Sequence, residues 1–410
     1  MGARRMSQPP SEDRQLVVLG ASGQIAAVAR RLGCRLIHVQ KPGSPLEQFI
    51  EPGSVRSTYY TVDYTAESFP SFLEQVLRPL APDAVVSVRE DGLGPAALAN
   101  ARLGLAGTPL EVVETLRDKA KMRALLESKA PHLTVRASVP ASLEDAVDTF
   151  LSWGGRPAIL KPRASSGSRG VVLVESVADL LAQGDPSGQV LEEYLPGQEY
   201  SAESFSVGGV HRIVALVEKH TGPSFVELAH VVPAPSLDVS AVPVIQDQLT
   251  EFLDVVGLVD GPAHTEFKLI DGGIRVIESH NRIGGDGIPH LVRLVTGTDL
   301  QRWSMGWPLG LGGPGPQDRP AAAAAAIAFA TAPEGVVQSV ALPRLEFADA
   351  TVEDVRSFVR PGDEVAVLTS SSARVGSGSV SGADPSRVLA AARRLAAGID
   401  VVCRPTGARG

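Results

Sequence analysis

The chain has 410 residues, 44% of them hydrophobic and 20% charged, a composition suited to a globular protein of two to four domains or subdomains. A formal charge of -8 argues against nucleic acid as a main partner, because binding phosphates needs a concentrated basic surface. Two cysteines, Cys34 and Cys403, are too few for a disulfide framework or a zinc site, and no apolar run approaches the roughly 20 residues that span a bilayer.

Residues 1–14 hold charges but no apolar stretch, so they read as a disordered tail rather than a leader, and a cytoplasmic protein is the default expectation. Residues 15–40 read as strand, glycine loop, helix, strand, the opening of a doubly wound α/β unit. The loop GASGQ lacks the third glycine of a dinucleotide fingerprint, and Gln40 and Lys41 stand where an acidic residue would follow, so a tight strand-to-helix turn is favoured. A second unit follows, with a strand at 58–64, a helix at 68–80, a strand at 83–90 and a helix over 94–103. Helical spacing then predicts one helix over 111–130. A strand at 134–139 and a helix at 142–154 lead to RPAILKPRASSGSRGVVLVES, read as strand, Gly/Ser loop, strand. Antiparallel strands are expected through 190–220, with a helix near 244–256.

Two strands then carry acids. HTEFKL holds Glu266, and VIESHNRIGGD delivers Glu278, His280 and Arg282 to one face by alternation, followed by Gly284, Gly285 and Asp286. Two carboxylates on neighbouring strands beside an arginine suit Mg²⁺ and a polyphosphate. A buried ion-pair network at a sheet edge would look the same locally. After a helix at 288–297, residues 308–320 are rich in Gly and Pro and read as a linker. The last ninety residues look like a separate α+β cap, and the six alanines at 321–326 are read as the approach to a strand.

Lys161 ends an apolar strand and precedes a loop, Ser165, Ser166, Gly167, Ser168, Arg169 and Gly170, whose backbone N–H groups can cover phosphates. A surface hairpin with a solvated lysine is the plainer reading of that segment alone. About thirty residues on, LEEYLPGQE offers Glu192, Tyr194, Leu195 and Glu199, a hinge able to hold a purine and hydrogen-bond a ribose diol.

Asp118-Lys119, LKP with its Gly/Ser loop, LEEYLPGQEYSAE, HTEFKL and VIESHNRIGGD stand in the order typical of the ATP-grasp superfamily. The chain resembles that superfamily over residues 15–405 or so, and within it the L-amino acid ligases, which join two amino acids. The resemblance implies α/β and α+β architecture: a Rossmann-like domain over 15–110, an ATP-grasp domain over 111–307 with its lid at about 134–193, the linker, and a C-terminal α+β subdomain over 321–410. It implies ATP and a pair of Mg²⁺ ions as cofactors, amino acid or amine substrates, and a homodimer as the common assembly. Lys119 and Lys161 would contact phosphates, 165–170 would form the lid loop, and Glu192, Tyr194 and Leu195 would line the adenine site. Glu199 would hold the ribose, Glu266 and Glu278 would bind Mg²⁺, and Arg282 would stabilise the acyl phosphate and the tetrahedral intermediate.

One departure stands out. Where the family pattern has asparagine as a third metal ligand, this chain has His280, a poor partner for hard Mg²⁺, and Asn281 is displaced to the opposite face. His280 is therefore expected to touch substrate or phosphate. Glu227 and His230 have the spacing with which the family holds an α-amino group, although a hairpin edge would also explain them. Asp286 would either face the second substrate or cap the helix after it. The expected activity is an ATP-dependent carboxylate–amine ligation through an acyl phosphate. Its rivals are ligation to a carrier protein or amino sugar, a purine-pathway carboxylase, and a non-catalytic ATP sensor.

Overall fold

The computed structural model describes residues 14–20, 23–44, 57–222, 224–314 and 318–405. All of the expected tail at 1–14 except Arg14, the centre of the glycine loop at 21–22, and 315–317 of the linker lie outside them. Among the described residues no helix is long and apolar enough to cross a membrane.

The N-terminal body is a four-stranded parallel sheet in the order Ser57–Thr61, Arg35–Gln40, Gln15–Leu19, Ala84–Val86. Alternation explains its layers. Leu16 and Val18 pack under the helix Gly23–Arg31 and against Met305 and Leu309, whereas Val17 and Leu19 pack against Phe69, Leu73 and Leu77 on the other face. The strand expected to run to residue 90 stops at Val86, and Glu90 opens the helix Glu90–Leu103. Ser87 turns the chain by accepting from the Arg89 amide, and two acids, Glu90 and Asp91, suit the positive end of that helix.

The single helix expected over 111–130 is two, Leu110–Arg117 and Lys119–Lys129. Asp118 breaks them with an extended ψ of 102°, and its carboxylate accepts from the Ala120 and Lys121 amides as an N-cap. That break points Lys119 inward at the start of a helix. The lid is a small antiparallel sheet in the order Ala137–Ser138, Gln189–Glu193, Ala158–Pro162, Val172–Val174, covered by the helices Leu143–Ser152 and Val177–Gln183.

An eight-stranded sheet dominates the rest. Its order is Gly273–His280, Gly261–Ile270, Glu199–Val207, Val210–Thr221, Glu227–Val232, Ala324–Ala330, Gly376–Gly382, Ala350–Ser357. Three strands of the C-terminal segment continue this sheet through the pairing of His230 with Ile327, while Glu364–Val365, Gly335–Ala341 and Asp400–Arg404 form a three-stranded sheet of their own. The alanines enter a fully buried strand despite their helical propensity: small side chains let the helix Pro385–Ala397 lie close against it. Gly378 serves the same approach, since a Cβ there would stand 2.7 Å from Leu395.

Candidate active site in the cleft between lid and sheet

Glu266 and Glu278 are direct cross-strand partners, so their carboxylates share one face of the sheet. They line a cleft beneath the lid. Every residue expected to hold nucleotide lines this cleft except Gly170, and Glu227 lines it as well. His230, His280, Arg282, Gly284, Gly285 and Asp286 lie beyond its lining.

Buried charge organises the cleft. Lys119 Nζ lies 2.8 Å from Glu278 Oε2 and donates to the Ser165 carbonyl at 3.1 Å. Burial pushes the Glu278 carboxyl up, but Lys119 and His280 outweigh it and hold it well below its ordinary value. Lys161 Nζ lies 2.7 Å from Glu192, and Arg123 lies 2.8 Å from the same carboxylate. Burial lowers the lysine's pKa. It also pushes Glu192 up, yet Arg123 and Lys161 together hold that acid at about 2. Glu192, expected against adenine, is thus first the counter-charge of Lys161. Lys219, overlooked in the sequence, bridges Glu266, Glu199 at 3.0 Å and Glu227 at 3.5 Å. Its signal was alternation, because Ala215, Val217 and Lys219 are buried together on the strand Val210–Thr221.

At the hinge, Lys268 donates to the Leu195 carbonyl at 2.8 Å and lies over the Tyr194 ring, which meets Phe225 edge-on. The Gly/Ser loop lies across the cleft. Ser168, at φ 59°, donates to the Phe225 carbonyl, and the Ser371 amide donates to the Gly167 carbonyl at 3.1 Å.

His280 and Arg282 emerge side by side beyond the two acids. His280 Nε2 is 3.4 Å from Glu278, while its Nδ1 is 3.8 Å and Arg282 is 3.6 Å from Glu90. Glu90, from the N-terminal body, was not foreseen, since sequence placed it in a strand. Asn281 does face the other way: its buried Oδ1 lacks a partner and borders a second cavity beside the helix Glu90–Leu103. Asp286 does not cap the following helix, whose N-cap is Gly287. It forms a bidentate pair with Arg374 at 2.7 and 2.8 Å and lies 3.5 Å from His230. Arg374 comes from the C-terminal segment and also stacks on Phe329, and nothing local in the sequence marks it. Glu227 accepts from Ser371 Oγ at 2.8 Å, and both ring nitrogens of the buried His230 lack a hydrogen-bond partner.

The donor set fits Mg²⁺ in one respect. Among the described residues no group of three or more His, Cys, Asp or Glu converges on a point, but Mg²⁺ commonly takes one or two protein carboxylates and completes its shell from phosphates and water. Lysines 119 and 219 now balance those two acids.

Comparison with known proteins bears on this arrangement. A family model for the ATP-grasp domain matches residues 155–290, and one for the L-amino acid ligase C-terminal domain 2 matches 328–404. Residues 155–290 are therefore similar to the ATP-grasp superfamily. The chain is 27% identical over 307 residues to alanine–anticapsin ligase of Bacillus amyloliquefaciens, covering 67% of this chain and 64% of that protein. It is 26% identical over 337 residues to carnosine synthase 1 of Mus musculus, covering 72% of this chain and 40% of that one. The chain thus spans less than two thirds of the length of these curated relatives. Its ATP-grasp fold is shared with the L-amino acid ligase from Bacillus licheniformis at a TM-score of 0.78, with 22% identity over 96% of this chain and 99% of the other.

Proposed function

We propose that this ATP-grasp chain is an ATP-dependent carboxylate–amine ligase that joins an amino acid carboxylate to an amine, releasing ADP and phosphate. The observation that carries the reading is the cross-strand pair Glu266 and Glu278 lining a cleft covered by a Gly/Ser loop, with Arg282 just beyond. In the reaction a carboxylate oxygen attacks the γ-phosphorus of ATP and the bond to ADP breaks. The amine nitrogen then attacks the acyl carbon, the carbon–oxygen bond to phosphate breaks, and the nitrogen gives up its proton.

The residues divide this work. Lys119 and Lys161 sit where they can neutralise phosphate oxygens, and the 165–170 loop keeps water from the acyl phosphate. Bound at Glu266 and Glu278, Mg²⁺ would spread the charge of the transferring phosphoryl group. Arg282 would hold the oxyanion of the tetrahedral intermediate. Glu227 offers a carboxylate to the α-ammonium of the activated amino acid, and His230 can accept from it through whichever ring nitrogen is unprotonated. Asp286 has a different part, since Arg374 already neutralises it. It ties the C-terminal segment to the turn after Arg282. Asp286→Asn should then lower the unfolding free energy by about 3 kcal/mol, because it strips the charge partner from a buried arginine. Urea denaturation followed by tryptophan fluorescence measures this, and a change within error would remove the pair from the stability of the site.

ADP release with Mg²⁺-ATP across amino acids, singly and in pairs, with mass spectrometry of products, tests the reading. A pair-dependent signal with a dehydrated conjugate is expected. ADP release stimulated by bicarbonate instead would favour a carboxylase, and nucleotide binding without any ADP release would leave a sensor.

A further inference from the structure

Behind Glu266 lies a buried acid–imidazole pair that none of the roles above uses. The strand Gly261–Ile270 carries His264 two residues before Glu266, on the same face, and pairs His264 with Glu203 of the strand Glu199–Val207. His264 Nδ1 lies 2.5 Å from Glu203 Oε1, and its Nε2 lies 3.1 Å from Glu266 Oε1. A carboxylate oxygen thus lies against each ring nitrogen. Glu203, fully buried, also accepts from Ser201 Oγ at 3.3 Å, and its other oxygen accepts from the Gly284 amide at 3.0 Å. Gly284 is two residues beyond Arg282, whose guanidinium donates to the Ile283 carbonyl between them.

The chain of contacts therefore runs Glu266, His264, Glu203, Gly284, from the proposed metal end of the cleft to the turn that bears Arg282. The turn fits closely. A Cβ on Gly284 would stand 2.9 Å from one Glu203 oxygen and 3.1 Å from the other and from His264 Nδ1. Removing a carboxylate from water costs several kcal/mol, and apolar residues of the same volume often hold a sheet as well or better. Stability thus gives little reason for the pair, whereas orientation gives a specific one. Both His264 and Lys219 contact Oε1 of Glu266, which leaves Oε2 for a cation.

We propose that Glu203 and His264 are positioning residues that fix the Glu266 carboxylate and the Arg282 turn in one frame, so that the phosphoryl-transfer and amide-forming ends of the site keep a set separation. The inference rests on the ligase reading only for the assignment of Glu266 as a Mg²⁺ ligand and of Arg282 to the second step.

Calorimetric titration with ADP, at a series of Mg²⁺ concentrations and in EDTA, tests it without any substrate being known. Glu203→Gln should raise the Mg²⁺ concentration that gives half the metal-dependent gain in ADP affinity by about 10-fold, the lower end of what loss of an outer-shell partner costs. ADP affinity in EDTA should stay within about twofold, which a generally loosened site would not allow. His264→Gln should do the same, and serves alone should Glu203→Gln fail to fold. The double variant should cost no more than either single change, since the two residues act as one unit. An unchanged Mg²⁺ midpoint, or equal losses with and without Mg²⁺, overturns the proposal. A wild-type protein that binds ADP with no Mg²⁺ dependence overturns it together with the metal assignment. Metal-dependent binding without amide formation on any substrate would sink the ligase reading and, with it, the Arg282 half of the proposal, leaving the positioning of Glu266 standing.

Discussion

Arg282→Ala should lower amide formation by about 10²–10³, the usual cost of removing one donor to a developing oxyanion, while ADP binding stays unchanged. The side chain is held for such a task. It is largely buried, its NH1 donates to the Ile283 carbonyl, and Glu90 balances its charge from 3.6 Å away without a tight pair. It lies beyond the lining of the nucleotide cleft, so truncation removes a charge from the second step and leaves the nucleotide's surroundings intact. Single-turnover assays separate the two steps: acyl phosphate formation, read as ADP release, should survive better than conjugate formation. Equal loss of both would place Arg282 in phosphoryl transfer, and near-normal turnover would remove it from the mechanism.

Glu278→Gln should have a comparable effect by another route. The carboxylate is the counter-charge of buried Lys119, 2.8 Å away, and the cross-strand partner of Glu266. An amide in its place removes one of the two proposed metal oxygens and leaves a buried ammonium without its nearest acid. Mg²⁺-dependent ATP turnover should fall by at least the roughly 10–100-fold that loss of an outer-shell partner costs, with a raised Mg²⁺ requirement. Titrating Mg²⁺ at fixed ATP reads this directly. A fall in rate with an unchanged Mg²⁺ midpoint would mean that Glu278 serves only to hold Lys119.

The elements that sequence located best are those whose burial pattern is local. The apolar run of QLVVL, the strand HTEFKL, the Gly/Ser loop after Lys161, and the strand read into AIAFATA all match observed elements or turns. Boundaries set by single side chains were harder. Helical spacing runs through Asp118, yet its carboxylate stops one helix and caps the next, a choice made by a hydrogen bond that periodicity does not register. The strand ending at Val86 is a similar case, where a serine turn and two acids start a helix early.

The sequence by itself determined the succession of strand, loop and hinge segments, and the chemistry each carries: the lysine before a Gly/Ser loop, the glutamates on adjacent strands, the arginine after them. Short-range alternation and turn chemistry suffice for that. Only the tertiary structure decided which charges neutralise which. Lys161 is matched to Glu192, Lys219 to three acids, Asp286 to Arg374, and His264 to Glu203. Buried ions need partners at contact distance, and a β-sheet supplies them from strands far apart in the chain. The partner of Asp286 lies 88 residues away, so no local pattern could have named it.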